Sequence, residues 1–102
     1  MKVKNYKDGC RCTATEYEVR EIDQYGDCQD IDHCDTQSEA MQRAKAKIAA
    51  GMLAVAVERH ISRRPAHMFG EPDTYTTLAV MGDKAALELW GWQPGESTWL
   101  ED

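Results

Sequence analysis

One stretch of the chain, residues 36–51, carries a helical repeat, while the stretches around it alternate with a period of two. That contrast limits the fold more than any other feature. One amphipathic helix among several half-buried strands has to lie on a sheet. The helix opens on Thr36-Gln37-Ser38-Glu39, a reciprocal capping sequence in which the Thr hydroxyl accepts from the Glu amide and the Glu carboxylate turns back. Ala40, Met41, Ala44 and Ile48 form an apolar stripe, with Gln42, Arg43, Lys45 and Lys47 largely outside it. Gly51 supplies the stop, and the alanines let the helix approach a sheet closely.

Before the helix, Thr13, Thr15, Tyr17 and Val19 alternate with Ala14, Glu16, Glu18 and Arg20, predicting a strand over 12–22. Asp23-Gln24-Tyr25-Gly26 predicts a turn and residues 27–34 a returning strand. The expected register sets Val19 opposite Ile31, Tyr17 opposite His33 and Arg20 opposite Asp30. After the helix, Leu53, Val55 and Val57 begin a third strand that reaches residue 61. Pro65, Gly70 and Pro72 mark 62–73 as a long exposed loop. Residues 74–81 predict a fourth strand, Gly82-Asp83 a tight turn, and 84–92 a fifth strand with Leu87 and Leu89 on one face. The expectation is an α+β domain: a mainly antiparallel five-stranded sheet with one helix on one face, in the order β-β-α-β-β-β. Numbered by sequence, the strands would lie 2-1-3-4-5. Residues 1–10 would be an irregular lead-in and 93–102 an irregular tail of this single domain.

With 102 residues, 42% hydrophobic and 29% charged, the composition is that of a folded soluble chain and not a disordered one. No run approaches the ~18–20 apolar residues of a membrane span. Lys2, Lys4 and Lys7 are followed by no apolar core of a secretory signal, so a cytoplasmic protein with reduced thiols is expected. The net charge of −6 is unevenly spread. Residues 1–40 hold 5 basic and 10 acidic residues, 41–68 hold 6 and 1, and 69–102 hold 1 and 7. An acidic chain argues against general phosphate-backbone binding, which rests on many Lys and Arg.

Four places invite a functional reading beside a plainer one. On a fifth strand, Ala86, Trp90 and Trp92 would join Thr77, Ala79 and Met81 on the face away from the helix. Either the tail covers that face with Trp99 and Leu100, or Trp90, Trp92 and Met81 anchor a protein partner or a second copy. Cys10, Cys12, His33 and Cys34 could meet as a tetrahedral zinc set, the one cofactor the chain suggests. Their spacing is not that of paired C-x₂-C sites, and reduced thiols or a disulfide from Cys10 or Cys12 to Cys34 serve as well. Asp30 and Asp32 lie on an acidic hairpin, either a solvated face or a surface imitating nucleic-acid charge toward a basic partner. Arg63 and Arg64, with His60 and His67, form a basic segment that is either an ordinary loop or a grip for a phosphate or an acidic partner.

No nucleophile elbow, phosphate loop, zinc-protease helix or dinucleotide fingerprint is present. His33 and Cys34 are adjacent on a strand and so point to opposite faces, which denies them a nucleophile–base role. The sequence therefore supports first a non-enzymatic accessory protein acting by protein–protein contact, as a homodimer or as a phage or bacterial modulator of a nucleic-acid-handling partner. The alternative is a small zinc-stabilised or nucleic-acid-contacting domain.

Overall fold

The strands pair around a central couple. In the computed structural model, which describes residues 2–4, 12–64, 71–94 and 98–99, β2 (Cys12–Ile22) runs antiparallel to β4 (Ala54–Arg64) from Ile22↔Ala54 to Cys12↔Arg64. β5 (Glu71–Gly82) adds antiparallel to the far side of β4. The other edge of β2 carries two strands end to end. There β1 (Lys2–Lys4) pairs at Thr13–Thr15 and β3 (Cys28–Cys34) pairs at Tyr17–Ile22. The sheet is thus four strands wide.

Helix α1 (Gln37–Ala49) follows its sequence signals. The Thr36 hydroxyl accepts from the Glu39 amide at 3.2 Å, and Ala40 and Ala44 press onto the sheet. They meet Val19, Val55, Val57, Ala79 and Met81, the residues that point to that face of β2, β4 and β5. Lys47 bonds Glu21 and lies 3.0 Å from Asp32, tying the helix to the β2–β3 ribbon.

The expected five strands and one helix are corrected here: α+β and antiparallel hold, but among the described residues the sheet is four strands wide and there are two helices. Residues 84–90 form helix α2 (Lys84–Trp90), not a strand. Asp83 caps it, its carboxylate accepting from the Ala86 amide at 2.9 Å. Lys-Ala-Ala-Leu-Glu-Leu is made of good helix formers with no β-branched residue, and Ala86, Leu87 and Trp90 already fit a helical face. The Leu87/Leu89 alternation that suggested a strand is incidental. Gly82, at φ +103, ends β5, and Asp83 follows it at once as the cap of α2.

Three further expectations change. The hairpin register is slipped by one, with Val19 opposite Asp32 and Arg20 opposite Ile31, and it returns to Ile22↔Cys28 across an irregularity at Glu21/Ile22. The slip sets Asp32 beside Val19 on the α1 side, where Lys47 and Arg43 reach it. Residues 62–64 and 71–73, expected in the long loop, belong to β4 and β5, and 65–70 lie outside the described residues. Lys2–Lys4, placed in an irregular lead-in, are a strand.

The second sheet face is covered by the chain itself. Ile22, Ala54, Ala56 and Val80 pack against Ala86, Leu87 and Trp92, with Trp90 and Trp99 at the margin. The Val80 amide donates to the Thr98 carbonyl at 2.9 Å, and Trp92 Nε1–H donates to Thr98 Oγ1 at 3.1 Å. Trp99 packs on Trp92 with ring centroids 5.7 Å apart, and Lys84 Nζ stands 4.5 Å over the Trp99 ring.

Candidate functional site

Helix α2 is short, and the strands beneath it run on past its end. There the even-numbered positions of β2 and β4 change from apolar to polar: Glu16 and Glu18 on β2, Glu58, His60 and Ser62 on β4. Because paired positions share a face, Glu16 stands opposite His60 and Glu18 opposite Glu58, while His33 of β3 stands opposite Glu18. Glu16 and Glu18 are only 8% and 4% exposed, an unusual setting for carboxylates.

Charge and hydrogen bonding explain how they are tolerated. Arg20 donates to Glu18 Oε1 at 2.7 Å. Its Nε lies 2.8 Å from Glu58 Oε1 but off the hydrogen-bond axis, a charge contact. Burial opposes the Arg20 charge, yet Glu58 and Glu18 outweigh it together and raise the guanidinium pKa above its ordinary value. Thr77 donates its hydroxyl to Glu58 Oε2 at 3.0 Å. Two imidazoles close the group. His60 Nδ1 is 3.1 Å from Glu16 Oε1 and 3.6 Å from Glu18 Oε2. His33 Nδ1 is 3.3 Å from Glu16 Oε2 and 3.9 Å from Glu18 Oε2. His60 Nε2 stands 3.4 Å from Ser62 Oγ, and its ring stacks on Tyr75 with centroids 4.3 Å apart.

This constellation contains one residue singled out from sequence, His33, and one noted in passing, His60. Glu16, Glu18 and Glu58 were missed as a site. Their i, i+2 spacing on strands was the available signal, but an alternating acidic strand reads equally well as a solvated face.

The other candidates disperse. Cys34 is buried against α1 on the opposite face of β3 from His33, so the two cannot share a zinc ion as the Cys10, Cys12, His33 and Cys34 set requires. Both Cys34 and Cys28 are free thiols, and burial pushes the Cys34 thiol up. Cys10 lies outside the described residues, as do the side chains of Cys12, Arg63 and Arg64, and His67. Met81, proposed as a partner anchor on the second sheet face, instead faces α1 at 1% exposed, and Trp92, 5% exposed, is packed on that second face with half-buried Trp90 beside it. The fold assigned the fifth segment to a helix, so the bare apolar sheet face that motivated those anchors does not exist. Asp32 is occupied by Lys47 and Arg43, whereas Asp30 is exposed.

At the hairpin end lies an open groove of about 420 Å³ lined by Ile22, Tyr25, Gln29, Met52 and Leu53 among others. Its surface is mostly apolar, and both Tyr25 and Leu53 are exposed. The turn that forms one wall is braced: Asp23 accepts from the Tyr25 amide at 2.8 Å and the Asp27 amide at 3.0 Å, and the Gln29 side chain donates to its other oxygen. These bonds, led by that from Asp27, hold the Asp23 carboxyl below its ordinary range.

In comparisons with known proteins, no family model, curated protein or solved structure matches this chain. Among the described residues, no helix is long and apolar enough to cross a membrane.

Proposed function

We propose that the chain is a small non-enzymatic binding protein that acts by contact with a protein partner. The observation that carries this reading is the apolar groove at the hairpin end, with Tyr25 and Leu53 standing exposed at its rim. Exposed apolar surface around a concavity is where a partner side chain gains most, roughly 1.5–3 kcal/mol for one fully buried aliphatic or aromatic group. The braced Asp23 turn supports the reading, since a wall already ordered loses little entropy on binding. Asp30, exposed on the strand that leaves this turn, suits a partner with a basic rim, and such complementarity steers encounter. A buried thiol pushed up by its burial agrees with a non-catalytic role for Cys34.

The test compares the wild-type chain with a Tyr25→Ser/Leu53→Ser variant as baits in an extract of the source cells, followed by calorimetry with the purified partner. The variant should melt and show circular dichroism like the wild type while losing at least about tenfold in affinity, or 1.4 kcal/mol. A partner retained at full affinity by the variant rules the groove out. Sedimentation of the purified chain identifies the case in which the partner is a second copy.

A further inference from the structure

We propose that Glu16, Glu18 and His33, with His60 as fourth donor, form a binding site for a divalent first-row transition-metal ion of the zinc class. The site lies away from the groove, and the inference stands independently of the protein-binding reading.

Donor geometry is the first argument. One ligand atom from each of Glu16, Glu18 and His33 can be chosen so that all lie within 4.8 Å of one another. A tetrahedral ion with bonds of about 2.0–2.1 Å requires donor–donor edges of about 3.3 Å. The carboxylate–imidazole separations, taken over both oxygens of Glu16, are 3.1, 3.3, 3.6 and 3.9 Å, close to that edge.

Charge is the second. Among the described residues three carboxylates, Glu16, Glu18 and Glu58, face one guanidinium, Arg20, an excess of two negative charges when both imidazoles are neutral. A divalent cation cancels that excess. It also uses the neutral imidazole, the form that ligates.

Orientation is the third. Arg20 holds Glu18 Oε1, which turns Oε2 toward the imidazoles. Ser62 beside Nε2 and Tyr75 stacked on the ring fix His60 with Nδ1 toward the carboxylates. Such outer contacts are what set the ring orientation of a ligating histidine. His33 is different, with its side chain 57% exposed on an edge strand, so it can swing aside to admit an ion to the buried pair. Two nitrogens and two oxygens favour zinc, iron(II) or manganese(II) over calcium or magnesium, which prefer oxygen alone, and over soft ions that prefer sulfur.

The same separations suit a plain ion-pair cluster in which protonated imidazoles supply the balancing charge, and the experiment decides between the two. The full chain is stripped with a chelator, dialysed and titrated with Zn²⁺ against a chromophoric competitor. Co²⁺ substitution is followed by absorption, and circular dichroism is recorded for every variant. One Zn²⁺ per chain is expected, with a raised melting midpoint. His33→Ala, a change at an exposed side chain, and Glu16→Gln, a change of equal shape, should each weaken binding by more than about tenfold. The Cys10→Ser/Cys12→Ser variant should bind as the wild type does, and the Co²⁺ spectrum should lack thiolate charge-transfer bands. Absence of stoichiometric binding, binding indifferent to His33→Ala and Glu16→Gln, or a thiolate signature in the Co²⁺ form would each overturn the assignment.

Discussion

Replacing Leu87 and Leu89 by alanine, one at a time, tests the account of α2 and of what covers the second sheet face. As a strand, residues 84–92 would set both leucines on one buried face and make the two losses similar. As a helix they part: Leu87 is 0% exposed against Ile22, Ala54 and Val80, and Leu89 is 66% exposed. Leu87→Ala removes three buried carbon groups at about 0.8 kcal/mol each, roughly 2.4 kcal/mol of transfer free energy. The unrelaxed cavity adds to this and brings the expected loss to about 3–4 kcal/mol. Leu89→Ala forfeits only about a third of that transfer term, roughly 0.8 kcal/mol, and alanine's better helix propensity returns a few tenths. Urea unfolding followed by tryptophan fluorescence measures both. With a slope of about 1–1.5 kcal/mol/M for a chain of this size, Leu87→Ala should lower the midpoint by about 2–4 M and Leu89→Ala by under about 0.7 M. Equal losses, or a larger one at Leu89, would refute the helical packing.

Gly82→Ala should destabilise by about 3 kcal/mol or more, since left-handed backbone alone costs 1–3 kcal/mol. A Cβ there would also stand 2.3 Å from the Leu53 carbonyl oxygen; Gly51→Ala, at a similar φ with nothing within 4 Å, should cost markedly less in the same urea assay. Asp23→Ala should lose stability relative to wild type at neutral pH. Because the folded carboxyl titrates below its unfolded value, the difference is fully present above the ordinary aspartate value and disappears as pH falls through the lowered one. Melting midpoints of the pair across acid pH check this, and a gap that widens on acidification contradicts it. Cys34, buried and with its thiol pushed up, should alkylate only when the chain unfolds, whereas half-buried Cys28 reacts sooner in the native state. Peptide mass mapping after timed iodoacetamide exposure reads the order.

Local chemistry was legible wherever a segment's own residues decide its conformation. The Thr36 cap, the alanine stripe of α1, the Asp23–Gly26 turn and the four long strands were all expected from composition and period. Lys84–Trp90 was misread because seven residues hold two helical turns, too few for a period of 3.6 to stand out from one of two. The register of β3 was misread by one place because irregularities leave no mark in a polar strand.

Propensity, capping and two-residue alternation are properties of neighbours along the chain, so an antiparallel α+β fold with a capped helix could be read from the residues alone. Packing settled what faces what. It turned Met81 and Trp92 from surface anchors into core, Met81 beneath α1 and Trp92 with α2 and Trp99 on the second face. It set His33 apart from Cys34 and brought it to Glu16 and Glu18, which His60 also meets, so that the group draws on three strands. Strand pairing joins positions far apart in sequence, so which carboxylates meet which imidazoles depends on a register that no single strand encodes.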